Sequence, residues 1–270
     1  MDCIILVSDM CQNGFPKCPK APTKSTRINS SKMNTTSDLK VVYFPSCINR
    51  SMGKNSFQAA DDLQVTELTH QLLIRAGFTI IYPEALDSLC CGMPFSSKGF
   101  AEANHAQSNA LETALLKASE NGKYPVLYDM SPCFYHSNSA FSKTLKIVDP
   151  IEFMLDYVMP HLTIKNKKEI VAVFPVCSVK KIGKMEQLMA LSRLCANDVT
   201  MIDSNCCGFA GDRGFLVPEL NEHGLRDLKA QIPTHCKEGY STSRTCEIGL
   251  ENWSGIDFKS IFYLVEEVTR

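Results

Sequence analysis

Val41-Val42-Tyr43-Phe44-Pro45-Ser46-Cys47 and Val171-Ala172-Val173-Phe174-Pro175-Val176-Cys177 follow one pattern. In each, a β-branched and aromatic run ends in a Phe-Pro-x-Cys turn. A second pair follows in the same order. Leu89-Cys90-Cys91-Gly92, with Gly99-Phe100 downstream, is matched by Asn205-Cys206-Cys207-Gly208, with Gly214-Phe215 downstream. A duplicated unit is the simplest explanation, and the polar, lysine-rich stretch near Pro160–Lys168 is the natural boundary.

Around these motifs, short apolar runs alternate with amphipathic ones. The runs predict strands over Lys40–Phe44, Phe78–Tyr82, Pro125–Asp129, Leu145–Val148, Ile170–Phe174 and Val199–Ile202. They predict helices over Phe57–Ala76, Lys98–Glu120, Pro150–Val158, Lys181–Ala196, Pro218–Lys229 and Lys259–Val268. Strands alternating with helices of this length give βαβ units and parallel sheets. The expected fold is therefore α/β, with two duplicated parallel-sheet units and cysteines at the carboxyl ends of the strands. Residues 21–38 are rich in Pro, Ser, Thr, Asn and Lys without periodicity. We expect a flexible tail over 1–38, a first cysteine-rich domain over 39–162 and a second over 163–270.

The composition narrows the class. The chain has 270 residues, 44% apolar and 21% charged, enough for a core without disulfide staples. A net charge of −1 gives no general attraction for nucleic acid, so no nucleic-acid partner is expected. No apolar run approaches the roughly 20 residues of a membrane span. The start, Met1-Asp2-Cys3-Ile4-Ile5-Leu6-Val7, does not read as a signal peptide, and a cytoplasmic protein is expected. Thirteen cysteines are many for a plain cytosolic enzyme, and an odd count argues against a disulfide framework. Metal ligands or redox groups are the better reading.

Cys47, Cys133, Cys177 and the Cys206-Cys207 pair each follow a predicted strand closely, and Cys90-Cys91 follows after a short loop. A parallel sheet gathers such positions at one edge, where open α/β sheets place their ligands. Each half then offers four thiols: Cys47, Cys90, Cys91 and Cys133, then Cys177, Cys206, Cys207 and Cys246. Four thiolates are the usual support of an iron–sulfur cluster, and Gly92 and Gly208 would let the backbone bend around one. Zinc also takes four thiolates, although close C-x₂₋₄-C pairs are missing. Arg50, Lys98, Lys180, Lys181, Arg213 and Arg244 stand near the motifs, where positive charge would suit an anionic cluster, although 28 basic residues make such neighbours common. Cys195 reads as a core thiol, Cys236 as a loop cysteine, and Asp212-Arg213 as a turn ion pair or docking contact. Electron transfer requires no acid–base residue, so no catalytic residue is assigned. The alternatives are a structural or docking module whose cysteine sites hold zinc or nothing, and a thiol–disulfide redox protein using the vicinal pairs.

Two copies of Cys…Cys-Cys-Gly…Cys resemble the cysteine-rich CCG domain of heterodisulfide reductase, of the iron–sulfur subunits of glycolate oxidase and anaerobic glycerol-3-phosphate dehydrogenase, and of lactate-utilisation proteins. Four stretches carry a more specific resemblance, to the C-terminal part of bacterial FAD-linked D-lactate dehydrogenases. They are Tyr43-Phe44-Pro45-Ser46-Cys47-Ile48-Asn49-Arg50-Ser51-Met52-Gly53, Cys90-Cys91-Gly92-Met93-Pro94-Phe95-Ser96-Ser97-Lys98-Gly99-Phe100, Cys206-Cys207-Gly208-Phe209-Ala210-Gly211-Asp212-Arg213-Gly214-Phe215 and Tyr240-Ser241-Thr242-Ser243-Arg244-Thr245-Cys246-Glu247-Ile248-Gly249. The resemblance covers about residues 39–268. It implies the iron–sulfur portion of a D-2-hydroxyacid oxidoreductase, passing electrons from FAD on a separate domain or subunit to a quinone or cytochrome. It implies contact with the inner face of the membrane through partners, and no lactate oxidation by these residues alone. The general motif ends in C-x-x-C. Here Asp129-Met130-Ser131-Pro132-Cys133 and Ser243-Arg244-Thr245-Cys246 keep one cysteine each, which suits two ordinary [4Fe–4S] clusters better than noncubane ones.

Overall fold

The computed structural model describes residues 38–53 and 62–270. The tail expected over 1–38 lies outside the described residues except for Asp38, as do Cys3, Cys11, Cys18 and the stretch Phe57–Asp61 at the start of the first predicted helix.

Two four-stranded parallel sheets carry the fold. The first contains β1 (Lys40–Phe44), β2 (Thr79–Ile81), β3 (Val126–Tyr128) and β4 (Ile147–Val148) in the order β2-β1-β3-β4. The second contains β5 (Lys168–Val173), β6 (Ala196–Met201), β7 (Glu238–Ser241) and β8 (Asp257–Ser260) in the order β6-β5-β7-β8. The two orders are the same permutation, which is how the sequence repeat appears in space.

Period-2 alternation explains how β1 is buried. Val41 and Tyr43 join the apolar cluster containing Leu68, Leu72 and Leu73 of the helix Val65–Arg75. Val42 and Phe44 face the other way, with Val126 and Tyr128, onto Leu111 and Leu115 of the helix Ala101–Ala118. All four of these side chains are fully buried. Each contributes roughly 1.5–3 kcal/mol of transfer free energy. After Lys40 the strand is apolar throughout because both of its faces are covered.

The remaining helices are shorter than the sequence suggests. The helix expected over Lys181–Ala196 runs only over Met185–Cys195, and Gly183 at φ +71° separates it from a short helix, Cys177–Lys181, that the sequence did not suggest. Pro218–Lys229 divides into Pro218–Gly224 and Leu228–Gln231. Pro150–Val158 begins as an α-turn and continues as a π-helix over Phe153–Val158.

The halves share one core. Val171, Val173 and Tyr240 of the second sheet belong to the same apolar cluster as Val41 and Leu72. The helix Val65–Arg75 packs against the C-terminal helix Ile261–Thr269. At that seam Arg75 Nη1 lies 2.6 Å from Glu266 Oε2, and its Nη2 donates to Thr269 Oγ1 at 2.6 Å. Tyr263 O–H donates to the Leu63 carbonyl at 2.7 Å. Glu266 is nearly enclosed, so removing its partner strands a carboxylate. Arg75→Ala should lower the unfolding free energy by about 1–3 kcal/mol, read from urea melts.

Candidate metal centre: two cysteine quartets

In both sheets the chain order reverses beside the first strand. β2 lies on one flank of β1 and β3 on the other, and β6 and β7 flank β5 in the same way. Such a switch point opens a crevice at the carboxyl ends of the strands. Cys47 begins the helix Cys47–Ser51 that follows β1, and Cys133 lies in the first turn of the helix Ser131–Ala140 that follows β3. Cys177 begins the helix Cys177–Lys181 after β5, and Cys246 lies in the first turn of the helix Arg244–Ser254 after β7. Cys90-Cys91 and Cys206-Cys207 arrive on the loops after β2 and β6.

The structure brings each set of four together. Cys47 Sγ and Cys90 Sγ are 3.7 Å apart, and Cys90, Cys91 and Cys133 form a chain of thiol contacts. In the second half Cys207 Sγ is 2.8 Å from Cys246 Sγ, and Cys177 touches Cys206. None of the ten described cysteines is in a disulfide. The remaining two stand apart. Cys195 is buried on its helix, with its thiol pushed up to about 12 by burial, and Cys236 donates to the Glu238 carbonyl at 3.2 Å.

Negative charge settles on one sulfur per quartet. The Cys90 thiol is strongly acidified because Cys47 and Cys91 share hydrogen bonds with it and the Gly92 N–H points at it from 3.5 Å. Cys206 is acidified in the same way by Cys177, Cys207 and the Gly208 N–H at 3.4 Å. Their neighbours are held as thiols by hydrogen bonds within the quartets, Cys47 by Cys90, Cys91 by Cys133 and Cys90, Cys177 by Cys206, and Cys207 by Cys206 and Cys246, reinforced by burial. Among the described residues no group of three or more His, Cys, Asp or Glu side chains is spaced around a single metal ion. The donors nonetheless suit an iron–sulfur cluster in kind and number: four sulfurs per crevice, with a backbone N–H aimed at one of them.

The supports also repeat. Ser108 Oγ donates to the Cys91 carbonyl at 2.9 Å, and Asn221 Nδ2 donates to the Cys207 carbonyl at 2.5 Å. Arg50 Nη2 donates to the Leu89 carbonyl, and Lys180 Nζ to the Ser204 carbonyl, just ahead of each cysteine pair. Gly92 and Gly208 have φ of +89° and +73°, and their turns lie against the helices Ala101–Ala118 and Pro218–Gly224. A Cβ on Gly208 would stand 2.0 Å from the Leu220 carbonyl oxygen.

Sequence reading missed Asp129 and Asp149. Asp129 is buried at the end of β3, where it accepts from the Ser46 N–H at 2.8 Å and the Tyr43 O–H at 3.1 Å, fixing the turn before Cys47. Burial pushes its carboxyl up. Asp149 accepts from Ser131 Oγ at 2.7 Å, at the start of the helix that carries Cys133. Burial moves it up to about 6. The available signal was an aspartate at the end of each of two apolar runs, which is easily taken for a turn. Asp212 and Arg213 make no local pair. Asp212 bonds Lys98, and Arg213 Nη2 donates to the Ser97 carbonyl at 3.2 Å, so both reach from the second cysteine loop to the first.

Two tests follow from this geometry. Gly208→Ala should cost about 2–4 kcal/mol, because both φ and the Leu220 carbonyl resist a Cβ. Gly77→Ala, where φ is +85° but no atom lies within 4 Å of the new Cβ, should cost about 1 kcal/mol. Thermal melts of the two variants measure the difference. Asp149 has a folded pKa above its ordinary value, so its protonated form favours the fold. Stability from this group therefore falls as pH rises from about 4 to about 6. Asp149→Asn should remove up to about 2–3 kcal/mol of that slope, seen in urea midpoints across this window.

Comparison with known proteins bears on the first half. Residues 41–136 match the family model for the CCG cysteine-rich domain. No curated protein sequence matches the chain. Among solved structures, Picrophilus torridus aspartate racemase is 7% identical with a TM-score of 0.36, over 85% of this chain and 93% of its own. Glutamate racemase from Aquifex pyrophilus is 10% identical with a TM-score of 0.35, over 85% and 82%. Likenesses this faint support no conclusion about function. The matched segment holds Cys47, Cys90, Cys91 and Cys133, the strands that present them and the glycine turn between them. Over residues 41–136 the chain is therefore similar to the CCG cysteine-rich domain.

Proposed function

We propose that the protein is an electron-transfer module in which each cysteine quartet holds one [4Fe–4S] cluster. A CCG domain points to an iron–sulfur or metal-binding role. The observation that carries the finer reading is the repetition: four thiols meet at the same switch point in both halves, with the same turn and the same kinds of support. Cys47, Cys90, Cys91 and Cys133 would ligate the first cluster, and Cys177, Cys206, Cys207 and Cys246 the second. When bound, such a cluster takes up and releases single electrons.

The chain's own residues do the rest. The Gly92 and Gly208 N–H groups donate to sulfur, which stabilises negative charge there. Burial of Cys91, Cys133, Cys207 and Cys246 excludes water from the inner side of each site. Two one-electron sites match the electron pair released when a 2-hydroxy acid becomes a 2-oxo acid. The resemblance to FAD-linked D-lactate dehydrogenases supplies the context: a flavin-bearing domain or subunit as donor, a quinone or cytochrome as acceptor. Those partners would bring the module to the membrane. Among the described residues no helix is long and apolar enough to cross one.

Anaerobic reconstitution of the full chain with iron and sulfide tests this reading. We expect about eight iron and eight sulfide per chain, with EPR signals after dithionite reduction. Cys91→Ser and Cys207→Ser should each bring iron down to about four. Zinc in place of iron, or no metal after reconstitution, would overturn the proposal.

A further inference from the structure

We propose that Arg50 and Lys180 are positioning residues for the two clusters, each clamping a cysteine-pair loop and placing a cation beside it, and that the two clamps are unequal. The inference rests on the cluster reading above. Both residues lie three positions after the first cysteine of their quartet and on equivalent short helices. Neither location is distinctive in the sequence, because basic residues are frequent.

Arg50 is the more enclosed, with 7% of its side chain exposed. Its Nε donates to the Pro45 carbonyl at 3.1 Å, and its Nη2 donates to the Leu89 carbonyl at 2.5 Å. One planar guanidinium thus ties the turn before Cys47 to the residue before Cys90. This two-point grip suits arginine, whose donors are fixed in a fork, and an ammonium cannot reproduce it. The carboxylate that pairs with it, Asp87, is exposed and 3.9 Å away, so the positive charge stays largely uncompensated. In the second half the two roles are divided: Lys180 Nζ grips the Ser204 carbonyl, and Lys181 is the cation whose charge acts on Cys177 and Cys206. Cys177 is exposed there, whereas Cys47 is half-buried. The same device is therefore tighter and better shielded in the first half.

Charge and grip make separable predictions. A cation near an anionic cluster favours the reduced form, which carries one more electron. Removing it should make reduction harder. Removing one leg of the grip should leave the charge but loosen the cluster.

The test uses the full chain in a Cys207→Ser background, where only the first quartet loads. Arg50→Gln should shift the midpoint of the EPR-monitored redox titration to lower potential. Arg50→Lys should keep the midpoint near that of the parent and release iron to an anaerobic chelator about 10-fold faster. The mirror variant, Lys180→Gln in a Cys91→Ser background, should release iron faster but move the midpoint less than Arg50→Gln does, because Lys181 still acts on Cys177 and Cys206. A midpoint and release rate unchanged in both Arg50 variants would overturn the proposal. If Arg50→Gln fails to load, Arg50→Lys decides: loading with the parental midpoint upholds the cation's role, and failure to load overturns it. A parent protein that takes up no iron would overturn the cluster reading itself, a result distinct from any of these.

Discussion

Parallel pairing of β1 with β3, and of β5 with β7, forces neighbouring strands to end on the same edge of their sheet. The chain leaving each of them turns into a helix, and the first turn of that helix carries a cysteine. Residues 86 positions apart in the first half, Cys47 and Cys133, become neighbours because of this pairing. The loop bearing the vicinal pair closes the crevice between them. If either central strand pair slipped by one residue, apolar side chains would change faces and the cysteines would part. Strand pairing is therefore the condition for the sulfur chemistry, and the apolar faces of β1 and β5 hold it in place.

The halves share a plan but not its details. The first quartet is gripped by an enclosed arginine, backed by Asp129 beneath the Cys47 turn. The second has a lysine grip and an exposed first cysteine. Asn221 does in the second half what Ser108 does in the first, reaching the carbonyl of the inner cysteine from the helix that follows. Duplication kept the backbone geometry, which pairing enforces, and let the polar supports diverge wherever a different side chain could reach the same carbonyl.

The pattern of legibility has physical causes. β1 reads plainly because both faces are buried, so its residues from Val41 to Phe44 are apolar without interruption. β7 (Glu-Gly-Tyr-Ser) and β8 (Asp-Phe-Lys-Ser) were not legible, because ladder pairing and local contacts hold them rather than an apolar run. Gly239 looks like a strand breaker, yet a Cβ there would stand 2.3 Å from the Phe258 ring, so packing selects glycine. The helix Arg244–Ser254 was hidden in the same way by Gly249, which makes room for Asn221. The cysteine groupings could be read because the repeat doubled the signal. The aspartates, Ser108 and Asn221 could not, since a single polar residue acquires its meaning only from what the fold places opposite it.

The bonds between the halves have a consequence for how the chain reaches this state. Arg75 meets Glu266 across 191 residues, Arg244 Nη2 meets the Gly53 carbonyl across the same interval, and the Ser131 N–H meets the Thr242 carbonyl. Closing loops of that length costs entropy before any contact repays it. The pairings within each sheet span far shorter intervals. The favoured order is then local: each sheet assembles with its own helices, and the seam forms last. On the ribosome the first sheet emerges more than a hundred residues before the C-terminal helix that covers its partner face. Until that helix arrives, the side of Val65–Arg75 that it covers lies open to water, and this interval is when the chain is most exposed to aggregation.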